Sequence, residues 1–103
     1  MEASAPPLNT TIGVVATTAS LTKAECSKFA SVAHDGLARA IRPVHSMLDG
    51  DTIFVLATGG RTLASDPGQI GVLAADVMAR AIVRAANAAT SVDGYPALRD
   101  LGR

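Results

Sequence analysis

Two runs of apolar and β-branched residues, Thr10-Thr-Ile-Gly-Val-Val-Ala-Thr17 and Thr52-Ile-Phe-Val-Leu-Ala-Thr58, are nearly unbroken in hydrophobic character. Such runs predict strands covered on both faces rather than strands that alternate between core and water. Between them, Cys26, Phe29, Ala30, Ala33, Leu37 and Ile41 recur at spacings of three and four, which sets them on one face of a helix. Lys28, Asp35 and Arg39 then turn toward water. Thr22 with Glu25 forms a capping box that opens this helix, and Pro43 ends it near Ile41 or Arg42.

After the second run, Gly59-Gly60 predicts a turn. Asp66 before Pro67, followed by Gln69, marks a second helix start, with proline at its favoured first position. The Ala-rich segment to about Thr90 carries the stripe Ile70, Leu73, Ala74, Val77, Ala81, Ala85 and Ala88. The tail around Gly94 and Pro96 is expected to be irregular. Residues 1–8, ending in Pro6, Pro7 and Leu8, read as a flexible leader, and residues 9–103 as one domain. The order is strand, helix, strand, helix, with helices layered on a sheet in an α/β or α+β arrangement. Two strands alone make a poor sheet. Two helices are little cover for strands buried on both faces, so part of the cover is expected from elsewhere.

Composition narrows the function classes. Nine Lys and Arg balance nine Asp and Glu, so no net field draws nucleic acid or an anionic membrane. Cys26 is the single cysteine and has no partner for an internal disulfide, which fits a reducing compartment. No signal peptide or long apolar span is evident, and the expected location is the cytoplasm.

Candidate chemistry gathers at two places. Asn9-Thr10-Thr11 stands where the leader meets the first strand. A hydroxyl residue there becomes a new N-terminus if the preceding bond is cut, and its freed amine can serve as its own base. An α-amino group titrates at about 7.7 to 8.0, which leaves an appreciable neutral fraction at working pH. The plainer alternatives are that the threonines merely begin a strand, or that the triplet is a glycosylation sequon in a secreted protein. Asp49-Gly50-Asp51 sits at the entrance to the second strand. Its carboxylates could orient an ammonium, accept from a hydroxyl or share a cation, and a solvated turn is the alternative. No Cys, His or Glu cluster supplies further metal ligands, so no metal and no cofactor is assigned.

Other residues are assigned no chemistry. His34 lies away from the apolar stripe and His45 follows Pro43, close to the acidic loop; both read as surface or structural residues. Cys26 reads as a small core residue. Gly59-Gly60-Arg61 lacks the spacing of a phosphate loop.

Three segments together, Asn9-Thr-Thr-Ile-Gly-Val-Val-Ala-Thr17, Ala33-His-Asp-Gly-Leu-Ala-Arg-Ala-Ile-Arg-Pro43 and Leu48-Asp-Gly-Asp-Thr52, closely resemble the DmpA-type self-processing hydrolases. That family includes aminopeptidases and nylon-oligomer hydrolases, and the Asn-Thr junction and Asp-Gly-Asp loop look more like the latter. The resemblance implies an α+β, αββα-layered N-terminal-nucleophile fold when complete, of which this chain is a strand-helix-strand-helix portion. It implies cleavage between Asn9 and Thr10, Thr10 as nucleophile of the new β chain, and Asp49 and Asp51 beside it. A small amide or peptide is the implied substrate. Further catalytic groups and much of the pocket belong to the family's α chain, almost none of which is present here. That segment is therefore the expected partner, and the isolated chain is expected to be inactive. A non-catalytic truncated relative, or a small homo-oligomerising α+β module, is the competing expectation.

Overall fold

The computed structural model describes residues 9–62 and 66–102. Its elements follow the α+β order expected: β1 (Ile12–Ala19), α1 (Lys23–Ala40), β2 (Thr52–Arg61) and α2 (Gly68–Ala88), with a short 3-10 turn at Leu98–Asp100. The leader expected over residues 1–8 lies outside the described residues.

α1 begins where its capping box predicts. Thr22 Oγ1 accepts from the Glu25 amide at 3.1 Å, and Glu25 Oε1 accepts from the Thr22 amide at 2.8 Å. It ends at Ile41, whose amide donates to the Leu37 carbonyl, ahead of Pro43. A helix of this length returns the chain to the same end of the sheet, so β2 pairs with β1 in parallel, Ile12 opposite Thr52 through Thr17 opposite Ala57.

α1 and α2 pack on the same face of this two-stranded sheet. Ala33, Leu37, Ile53, Ala74 and Met78 form the buried centre, flanked by Val15, Ile41, Val44 and Ile82. The two-faced cover expected for the strands exists on one face only. Val14, Phe54 and Leu56 alternate outward, and Phe54 and Leu56 are 59% and 57% exposed. α1 is the crossover between the two strands and α2 lies beside it against the same face, which leaves these outward side chains uncovered by the described residues.

Three expectations are corrected. Gly59-Gly60 does not close β2. The strand runs on to Arg61, and the register shifts between Thr17 and Ala19, with Gly59 at φ 78°. Glycine here absorbs a bulge rather than a turn. The buried face of α2 is also rotated from the expected stripe. Gly71, Ala74, Ala75 and Met78 are buried, whereas Leu73, Val77, Ala81, Ala85 and Ala88 are exposed. In an Ala-rich helix several stripes are equally apolar, and close approach to α1 selects the one that carries Gly71, Ala74 and Ala75. Gly36 marks that approach, because a Cβ there would run into the Ala75 carbonyl oxygen and lie 2.8 Å from Met78 Cβ. Finally, the tail is not irregular throughout. Val92 and Tyr95 bridge across Gly94, Ser91 Oγ joins the Asp100 carboxylate to the Ala97 amide, and Arg99 donates to the carbonyls of Asn87 and Ala88 at the end of α2.

Candidate active site

Parallel pairing brings the two chemically suggestive segments side by side. Ahead of β1 and β2 the same register continues, with Asn9 bridged to Asp49. The Asn9 amide donates to the Leu48 carbonyl at 3.1 Å, the Gly50 amide donates to the Asn9 carbonyl at 2.8 Å, and the Thr52 amide donates to the Thr11 carbonyl at 2.9 Å. Asn9-Thr10-Thr11 thus lies along Asp49-Gly50-Asp51. Thr10 is exposed at this edge. Its hydroxyl oxygen is 3.4 Å from the position a Cβ would take on Gly50, so the bare glycine leaves the hydroxyl room.

The two carboxylates do different work. Asp49 turns back on its own loop, Oδ2 accepting from the amide and hydroxyl of Ser46 at 3.0 Å each. That ties down the turn that carries Gly50. Asp51 reaches across to the other segment, Oδ1 accepting the Thr11 amide at 3.1 Å. Its Oδ2 accepts from the His45 ring Nδ1 at 2.8 Å and from the His45 amide at 3.3 Å. The Asp51 side chain is only 4% exposed. A carboxylate so enclosed needs donors for its lone pairs, and these three N–H groups provide them.

Both histidines left without chemistry in the sequence belong to this constellation. His34 Nδ1 lies 3.2 Å from His45 Nε2, the rings tilted at 58° with centroids 4.7 Å apart. His45 sits in the left-handed backbone region at φ 55°, uncommon for a residue with a side chain. The one signal in the sequence was proximity to the acidic loop; contact with His34 depends on how the chain leaves α1. Cys26 is half-buried near the start of α1. Among the described residues, no group of three or more His, Cys, Asp and Glu side chains is arranged to hold a metal ion. No described helix is long and apolar enough to cross a membrane.

A hydroxyl at a strand edge, a hydrogen-bonded carbonyl immediately before it and an enclosed carboxylate on the amide after it are parts suited to acyl transfer. Comparison with known sequences supports the same class. The sequence model of peptidase family S58 matches residues 1–99. The chain belongs to that family. Similar proteins include an uncharacterized aminopeptidase of Mycobacterium tuberculosis, 44% identical over 108 residues that cover 92% of this chain and 31% of the relative. A Mycobacterium leprae uncharacterized aminopeptidase is 48% identical over 102 residues, covering 86% and 28%. A 6-aminohexanoate-oligomer endohydrolase of Kocuria sp. is 33% identical over 89 residues, covering 76% and 25%. The chain therefore spans less than a third of the length of these curated relatives. Membership makes this a hydrolase-family chain of the DmpA and nylon-hydrolase type, as its motifs suggested.

Proposed function

We propose that this chain is the nucleophile-bearing portion of a self-processing amide hydrolase, with Thr10 as the nucleophile. The observation that carries the proposal is the hydrogen bond from the Gly50 amide to the Asn9 carbonyl. That carbonyl is the group Thr10 must attack to free its own amine, and the donor suited to a developing oxyanion is already on it.

In the processing step the Thr10 oxygen adds to the Asn9 carbonyl carbon and its proton passes to the Thr10 nitrogen. The Asn9–Thr10 C–N bond breaks, leaving an ester on the hydroxyl and a free amine. Water hydrolyses the ester and releases Asn9 as a carboxylate. In turnover the freed amine takes the hydroxyl proton while the oxygen attacks a substrate amide. The amine product leaves, and water cleaves the acyl ester. Asp51 holds the peptide that follows Thr10, and Asp49 holds the turn that presents Gly50. Relatives named as aminopeptidases and as an oligomer endohydrolase favour a small peptide or amide substrate. The partner would be the family's α segment, with the exposed Phe54 and Leu56 face as its seat; without it the chain would be inactive.

An intact-mass spectrum of the chain with its α segment tests this directly. Loss of residues 1–9 together with amide hydrolysis is expected, and turnover by a chain that stays uncut at Asn9–Thr10 would refute it. A second reading, a non-catalytic module that pairs with its own copies, draws on the same exposed sheet face. It predicts a homo-oligomer of uncut chain that neither cleaves itself nor turns over amides when the α segment is supplied.

A further inference from the structure

Asp51 is held by three N–H donors, and two of them belong to one residue, His45. The carboxylate thus ties the loop ahead of β2 to the amide that follows Thr10. An ionised carboxylate only accepts hydrogen bonds, so His45 Nδ1 carries a proton. In neutral His45 the lone pair is then at Nε2, and the atom 3.2 Å away is His34 Nδ1. One proton lies between those two nitrogens whichever ring bears it, so the contact is a hydrogen bond in either arrangement. His34 is carried by α1, whereas His45 belongs to the connection. The network therefore anchors the Thr10 edge to a helix.

We propose that His45 is a positioning residue for Asp51, and that His34 holds the His45 ring in place from α1. The proposal rests on Thr10 as the nucleophile, since His45 acts on Thr10 only through Asp51 and the Thr11 amide. Its backbone gives a clean way to separate side chain from conformation. Asn and Gly both tolerate the left-handed region that His45 occupies, but only Asn retains a side-chain N–H near the place of Nδ1.

The test compares the full chain with its H45N, H45G and H34F variants. Histidine ring nitrogen spectra should show His45 protonated at Nδ1 in the parent and in H34F, with exchange of the Thr11 amide faster in H34F than in the parent. A His45 protonated at Nε2 alone would overturn the proposal. Exchange of the Thr11 amide should quicken about tenfold or more in H45G and stay within about threefold of the parent in H45N. Equal exchange in parent and H45G would overturn it as well. With the α segment present, kcat should fall about tenfold or more in H45G, with KM little changed and most of the rate restored in H45N; an unchanged kcat in H45G would contradict the positioning role. T10V separates the two claims, because turnover that survives in T10V while the ring spectra and Thr11 exchange behave as described would refute the nucleophile and leave the network standing.

Discussion

The backbone amide of Gly50 donates to the carbonyl of Asn9 at 2.8 Å, across a parallel register that also sets the Thr10 hydroxyl beside the bare Gly50 Cα. If that amide stabilises the oxyanion of self-cleavage, removing it should matter more than adding a methyl group next to it. We expect G50P to slow loss of residues 1–9 by about a hundredfold or more, as loss of one oxyanion donor does elsewhere. G50A keeps the amide, and its methyl group meets Thr10 at ordinary contact distance, so its rate should stay near the parent's. A time course of intact masses distinguishes them, and equal rates in G50P and parent would remove Gly50 from the mechanism.

Asp51 is enclosed, and each of its oxygens faces N–H donors. Asn in its place presents an amide donor to at least one of them, so D51N leaves a buried mismatch. A cost of about 1 to 3 kcal/mol is expected in denaturant unfolding. Amide turnover should fall with it even at temperatures where the variant is fully folded. A variant as stable and active as the parent would contradict the geometry.

Gly36 lies where α1 meets Ala75 and Met78 of α2. G36V should force the helices apart and destabilise the chain by about 1 to 3 kcal/mol, because overpacking displaces backbone that has no room to yield. Thermal or denaturant melting reads this, and an unchanged midpoint would mean the contact is looser than described.

Arg99 donates to the carbonyls of Asn87 and Ala88, groups that the end of α2 leaves without helical partners. R99A should cost up to about 1 kcal/mol and quicken hydrogen exchange in the last turn of α2, with little effect on β1. Uniform exchange along α2 in both proteins would argue against that cap.

Much of the fold is legible in the sequence itself. The Thr22 and Glu25 box fixed the start of α1, and Pro43 fixed its end, because capping and proline sterics are local. The buried face of α2 was not legible, since alanine is apolar on every side and only contact with α1, where Gly36 meets Ala75 and Phe29 lies beside Gly71, decides which stripe turns inward. Gly59 looked like a turn because a glycine's positive φ serves a bulge equally well. At the candidate site, the Asn-Thr junction and Asp-Gly-Asp loop were visible as motifs. Their alignment, and the assignment of Asp51 to the Thr11 amide, came only from the parallel register. His45 and His34 looked inert because residues on a loop and a helix face meet only through the path of the intervening chain.

Substitution at Thr10 tests the central claim most directly. With the α segment supplied, T10V should neither lose residues 1–9 nor hydrolyse amides, whereas T10S should retain both activities at reduced rate. Full turnover in T10V would contradict the account.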